Sequence, residues 1–371
     1  MVGSDAPVAH ADRDSAVSVV IPSHSVLRWP HLVAAVESVR AQSPQPAKIV
    51  VAVDHNDELL DRARRELSGA TVLANRYAAG ASGNRNTGVA ATSTPLVALL
   101  DDDARARPGW LASLIAPLQD DSVIGTGGAV EPEWERDRPG WFPDELLWTI
   151  ASTAALPPTP AAMRNVWSAS MAVRRSSFDA VGGFRTEFGK HGNRPRPEDT
   201  DLCLRMSRAT GGRWMYVPGS VVDHCVPEGR TRLRYLMGRC YHEGRGKIEL
   251  ARLCGGSDVL LVERDYLRRV LPRAVLRSLG LARGGGGPPP PARAGVLALG
   301  VVAAVIGGLL EIGYGWAAQA RRPSVPVPVD GLPGVVLPGG RRPAMNLAAT
   351  GVPGAAPAPA FPAGHPDGEL R

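Results

Sequence analysis

The chain has 371 residues, 44% of them apolar and 21% charged, close to the globular average and long enough to bury a sizeable core. That excludes a mini-scaffold, a chain disordered throughout and a polytopic membrane protein. The net charge is +6, yet 13 Lys and Arg against 5 Asp and Glu fall between Arg230 and Arg283, which leaves the remainder slightly acidic. Nucleic-acid binders spread basic residues over a working face and interleave aromatics. Here the basic run leads into an apolar one, so no nucleic-acid partner is expected and an anionic membrane surface is.

The first 125 residues alternate apolar β-rich runs with helical stretches, the pattern of a parallel α/β sheet. Strands are predicted at 16–22, 48–53, 71–74 and 96–100, and helices at 30–42, 58–67 and 83–92. The second strand ends at Asp54, and the run Leu96 to Leu100 leads directly into Asp101, Asp102 and Asp103. Loops at the carboxyl ends of parallel strands carry the ligand site, so these acids are expected on one rim. Residues 131–160, with Trp134, Trp141, Trp148 and several prolines, fit neither period and read as an excursion over the site. Trp141 and Trp148 suit sugar stacking or core packing equally. The α/β pattern resumes with a strand at 167–173, a helix near 175–181, the turn Gly182-Gly183-Phe184 and a loop to Pro197. His191 and Arg196 in that loop are read as acceptor contacts or solvated side chains. Glu198 and Asp199 then open a helix at 200–209, where the macrodipole favours acids.

After Pro227 the chain is expected to form a basic helical segment (230–283), a Gly/Pro linker (284–293), an apolar helix (294–320) and a disordered Pro/Gly-rich tail (321–371), with a further disordered tail at 1–14. The apolar run is at the lower edge of a spanning length. A span, a hairpin-like dip, an interfacial helix and a buried soluble helix all remain open. Residues 1–14 contain no signal-like apolar run. The four cysteines form no C-x-x-C pair and no zinc spacing, and are expected as buried thiols.

Three adjacent carboxylates at a strand end raise one another's pKa unless a cation sits among them. Oxygen ligands select a hard ion, Mg²⁺ or Mn²⁺, of the kind that bridges diphosphate oxygens. Taken alone, such a run also reads as an acidic surface turn. In chain order, however, Val19-Val20-Ile21-Pro22, Asp54, Arg85-Asn86-Thr87-Gly88, Asp101-Asp102-Asp103, Gly182-Gly183-Phe184 and Glu198-Asp199-Thr200-Asp201-Leu202-Cys203-Leu204-Arg205 occur together. This series resembles the non-processive, bacterial-type family 2 glycosyltransferases of the GT-A fold, over residues 15–229.

The resemblance implies a Rossmann-like, mostly parallel sheet flanked by helices, and a nucleotide-diphosphate sugar donor. Asp54 matches the aspartate that meets the base, Arg85 and Asn86 the nucleotide pocket, and Asp101 the carboxylate facing ribose or sugar. Asp103 matches the metal ligand, whereas Asp102 is expected to point away or to support the pair. Gly182, Gly183 and Glu198 fall on the acceptor side, and Asp199 matches the catalytic base. His224 is read as a further metal ligand, a structural residue or an acceptor contact. A sugar hydroxyl is a poor nucleophile, so a carboxylate must take its proton, while a metal neutralises the departing diphosphate. One base and one ion suffice for an inverting displacement onto a sugar, lipid-linked or other hydroxyl acceptor. The enzyme is expected at the cytoplasmic face of the cell membrane, in envelope or lipid-linked glycan synthesis. A non-catalytic nucleotide-sugar-binding homologue is the alternative. Polymer synthesis is disfavoured, because Thr210-Gly211-Gly212-Arg213-Trp214 departs from the processive Gln-x-x-Arg-Trp motif and lies too close to Asp199.

Overall fold

The structure, a computed structural model, describes residues 16–188, 196–255, 268, 271–278 and 292–320. The expected tails, most of the 284–293 linker and His191 lie outside these residues. In the first half β1 (Val17–Ser23), α1 (Trp29–Arg40), β2 (Lys48–Val53), α2 (Asp57–Glu66), β3 (Thr71–Ala74), α3 (Ala81–Ala90) and β4 (Leu96–Leu100) alternate. Strands β1, β2 and β4 are near-continuous apolar runs buried on both faces, as parallel strands covered by helices require. They pair in parallel in the order β3-β2-β1-β4. Their carboxyl ends therefore share one edge, and Ser23, Asp54 and Asp101 leave from it.

Polar α3 is buried along nearly its whole length. Gly83 and Gly88 permit this, since a Cβ at either would strike Tyr77 or Val20. The polar side chains of α3 must then find partners inside. Asn84 Nδ2 donates to the carbonyls of Ser23 at 3.2 Å and Ala52 at 2.9 Å, which pins α3 across the ends of β1 and β2.

The second half departs from the parallel pattern. It contains β5 (Ala104–Ala106), α4 (Trp110–Ile115), β6 (Val123–Trp134), β7 (Ala161–Met163), β8 (Ser170–Arg174), α5 (Arg175–Ala180), α6 (Glu198–Thr210) and β9 (Arg213–Val226). The sheet continues as β4-β8-β6-β9-β5, with β7 beside β9. Strand β8 runs antiparallel to both β4 and β6, and β5 and β7 run antiparallel to β9, so the nine-stranded sheet is mixed.

The excursion expected from residue 131 begins only after Trp134, because β6 runs through it. Glycines 125, 127 and 128 dilute the strand signal of β6; a Cβ at Gly125 or Gly127 would overlap Trp214 or Val166. In β9, Pro218 and Gly219 interrupt the pattern where the β6–β9 register shifts. Trp214, the tryptophan of the near-match to the processive motif, is fully buried and donates its indole N–H to the Cys203 carbonyl at 3.1 Å. It is a core residue. Trp141 stacks on Phe142 with ring centroids 5.7 Å apart, and Trp148 packs against the same cluster, so both serve packing.

That cluster also joins the C-terminal helices α7 (Leu233–Cys254), α8 (Leu271–Ser278) and α9 (Ala292–Ala320) to the sheet domain. Phe142, Leu146, Val226, Leu236, Cys240 and Leu297 share it. Among the described residues, Ala292–Tyr314 is the one helix long and apolar enough to cross a membrane. All four cysteines are free, and three of them are buried.

Candidate active site

Three carboxylates leave the end of β4 in different directions. Asp102 turns inward: its oxygens accept from Ser23 Oγ at 2.6 Å and from Arg28 Nη1 at 2.7 Å. Burial outweighs Arg28 and pushes the Asp102 carboxyl above the usual range. Asp103 Oδ1 lies 3.2 Å from His224 Nε2, while Oδ2 meets Arg28 Nη2 at 3.2 Å and Arg230 Nη2 at 3.3 Å. Burial would raise this carboxyl, but His224, Arg28 and Arg230 together hold it well below the usual range. Strand pairing explains the contact with His224. Residues 104–106 form β5 directly after the acids and run antiparallel to β9 with Ala104 opposite His224.

Asp101 is held from α3, where buried Arg85 donates to it from Nη2 at 2.9 Å. The Nη1 of Arg85 lies 3.4 Å from Glu198 at the start of α6. Arg85 thus ties the acids of β4 to the acids of α6. Beside it, Asp199 accepts from the backbone N–H of Ser168 at 3.1 Å through Oδ2, while its buried Oδ1 has no partner among the described residues. Burial pushes Asp199 up, against the pull of Arg85 and Ser168. Burial also pushes Glu198 up to about 7, with the adjacent Asp199 charge adding to it. A buried carboxylate with one anchored and one vacant oxygen is arranged to accept a proton.

Asp101, Asp103 and His224 bring one ligand atom each within 4.8 Å of one another. Two carboxylate oxygens with an imidazole nitrogen suit Mn²⁺ better than Mg²⁺, which prefers an all-oxygen shell. The two guanidinium groups pair with Oδ2 of Asp103, whereas Oδ1 is the oxygen beside His224. The residues fit a divalent ion. A second group, His31, Glu135 and Cys225, lies at the end of β9, where Cys225 Sγ is 3.8 Å from His31 Nε2 and Glu135 accepts from the Glu228 N–H at 2.9 Å.

Other expected residues fall differently. Asn86 is engaged with the fold: its Nδ2 donates to the Phe184 carbonyl at 2.7 Å and its Oδ1 accepts from the Phe184 N–H at 2.9 Å. It clamps the turn in which Gly182 and Gly183 adopt φ of 70° and 72°. Asp54 accepts from Asn75 Nδ2 at 2.6 Å and from the Gly80 N–H at 2.8 Å, so it first fixes the 75–80 loop against the rim. Arg196 is turned to Glu187 and Glu249. Arg28, Arg230 and Ser168 carry no sequence signal that selects them. Arg230 counts in the sequence only as part of the basic run, yet it reaches back to Asp103.

Residues 18–182 match the family model described as Glycosyl transferase family 2. The chain is 30% identical over 237 residues to the glucosyl-dolichyl phosphate glucuronosyltransferase of Haloferax volcanii, covering 62% of this chain and 76% of that protein. It is 32% identical over 182 residues to the pre-mycofactocin glycosyltransferase of Mycobacterium tuberculosis, covering 48% of this chain and only 37% of that relative. Among solved structures, the mannosyltransferase PcManGT from Pyrobaculum calidifontis, in complex with GDP-Man and Mn²⁺, superposes with a TM-score of 0.51 at 18% identity, over 79% of this chain and 86% of that one. That likeness is one of fold, the GT-A fold. The order of the motifs, the family match and the Haloferax relative lead to one conclusion: this chain belongs to the family 2 glycosyltransferases.

Proposed function

We propose that this glycosyltransferase moves a sugar from a nucleotide-diphosphate donor to the hydroxyl of a lipid-linked acceptor at the cytoplasmic face of a membrane, with inversion. One observation carries the reading. A cation-gathering group, Asp101, Asp103 and His224, is joined through Arg85 to the buried Glu198–Asp199 pair. Asp101, Asp103 and His224 would hold Mn²⁺ or Mg²⁺, which would supply charge neutralisation to the departing diphosphate. Asp54 and its loop border the nucleobase. Arg85 balances Asp101 and keeps the donor-side carboxylates from repelling an incoming pyrophosphate. On the opposite side Asp199 accepts the acceptor hydroxyl proton on its unpartnered oxygen. Glu198 and the Gly182-Gly183 turn border the acceptor. No covalent nucleophile is required, so a single displacement inverts the anomeric centre.

Two observations support a lipid-linked acceptor. The Haloferax relative is named for a dolichyl phosphate substrate, and one helix of this chain is long and apolar enough to enter a bilayer. The test is a panel of nucleotide-sugars offered to the full-length protein with Mn²⁺ and polyprenyl-phosphate-linked acceptors. Expected are metal-dependent transfer from one donor and an inverted anomeric configuration by NMR. Retention of configuration, or transfer that survives chelation of the metal, would refute the mechanism.

A further inference from the structure

Helix α9 presents two faces of opposite character. Leu297, Gly300, Gly307, Gly308 and Glu311 are buried. Leu299, Val302, Val305, Ile306, Leu309 and Leu310 recur every three or four residues and are 45–63% exposed. A contiguous apolar stripe of this kind is rarely left to water.

The buried face is seated on α7 at backbone contact. A Cβ at Gly244 would strike the Ala304 carbonyl, and one at Gly307 the Tyr241 carbonyl. Near the far end Arg245 donates to Glu311 Oε2 from Nε at 2.9 Å and from Nη2 at 2.7 Å. Arg252 Nη2 adds a bond to the Glu311 carbonyl at 2.9 Å.

This seating conflicts with a transmembrane course. If α9 crossed with α7 attached, Arg239, Glu243, Arg245, Lys247, Glu249 and Arg252 would approach hydrocarbon, where a charge at the centre costs at least about 2.5–3.5 kcal/mol. If α9 crossed alone, Glu311 would lose both arginines inside the bilayer, and Val296 and Leu297 would leave the cluster around Phe142. Either course costs many kcal/mol, whereas lying flat costs neither contact. Arg234 and Arg273 are exposed on the neighbouring helices and suit anionic headgroups.

We propose that α9 lies in the plane of one leaflet of an anionic membrane, its Leu299 to Leu310 stripe buried about 5–10 Å into the headgroup boundary, and does not cross. This rests on the membrane reading given above. The experiment uses full-length protein with Cys254→Ser, labelled with an environment-sensitive fluorophore at Leu299→Cys or Leu310→Cys. It is mixed with sealed vesicles of phosphatidylcholine and phosphatidylglycerol whose lipids carry quenchers at known depths. A helix standing upright would separate these two labels by about 16 Å, more than half the hydrocarbon core. Expected are flotation with the vesicles, equal shallow depths for both labels, and weaker flotation on phosphatidylcholine alone. Flotation with depths differing on that scale overturns the in-plane placement and leaves membrane association standing. No flotation overturns both.

Discussion

Asp199 and Glu198 sit side by side in a buried place that raises both carboxyls, so the pair titrates as a unit. The base must be ionised to accept a proton. Transfer is therefore expected to rise with pH along a limb that lies above the ordinary carboxylate range, because burial raises Asp199 as well as Glu198. Glu198→Gln removes the neighbouring charge, and the rising limb should move to lower pH in a profile of kcat/KM; an unmoved limb would refute the coupling. The same shift bears on stability. Because the folded carboxyl holds its proton more tightly than the unfolded chain, stability should decline as pH climbs from about 4.5 to about 7. Asp199→Asn should lower kcat about 10²–10⁴-fold while donor binding, followed by thermal shift, persists. Asp103→Asn acts on the other half of the site. It should weaken Mn²⁺ binding by more than the ~10–100-fold typical of an outer-shell partner, measured by Mn²⁺ titration.

At the scale of elements, the Gly182-Gly183 turn and α3 hold each other in place. Both glycines need positive φ, but only Gly183 is also hemmed in: a Cβ there would lie 2.7 Å from Asn86 Oδ1 and 2.8 Å from Phe178. Gly183→Ala should cost on the order of 1–3 kcal/mol and exceed Gly182→Ala, which has open space. Urea melts of the two variants check the order. Strand β9 shows how pairing assembles chemistry from distant sequence, since its antiparallel register with β5 delivers His224 to Asp103. The turn at Glu228–Thr231 then brings Arg230 back to the same carboxylate.

At the scale of the molecule, the C-terminal helices are part of the folded body. Glu311→Gln would leave half-buried Arg245 and exposed Arg252 without the buried carboxylate that they share. The expected loss is about 2 kcal/mol, below the 3–5 kcal/mol of a fully buried pair because Arg252 is partly solvated. Thermal melts of the full-length variant should show it, and unchanged melting would argue that α7 and α9 are independent. The helices also meet the sheet domain close to the site, because Val226 at the end of β9 lies in their shared cluster.

The parallel half of the sheet was legible in the chain because strands buried on both faces are unbroken apolar runs, and three of them end at the rim in Ser23, Asp54 or Asp101. The acids of β4 and α6 were legible for a related reason: charge placed directly after a buried strand, or at a helix start, stands out against its surroundings. Strands β6 and β9 were not, since glycine and proline accommodate packing and register shifts that only the assembled sheet explains. Arg28, Arg230 and Ser168 were equally hidden. A guanidinium or a backbone N–H has no local pattern that announces its partner, and long-range pairing alone brings it within reach of a carboxylate. The bonds from both ends of the Asn86 amide to Phe184 were hidden in the same way, since the two residues lie far apart in the chain. The apolar character of α9 was written in its composition; which of its faces is covered followed only from its contact with α7, because burial is decided by what packs alongside.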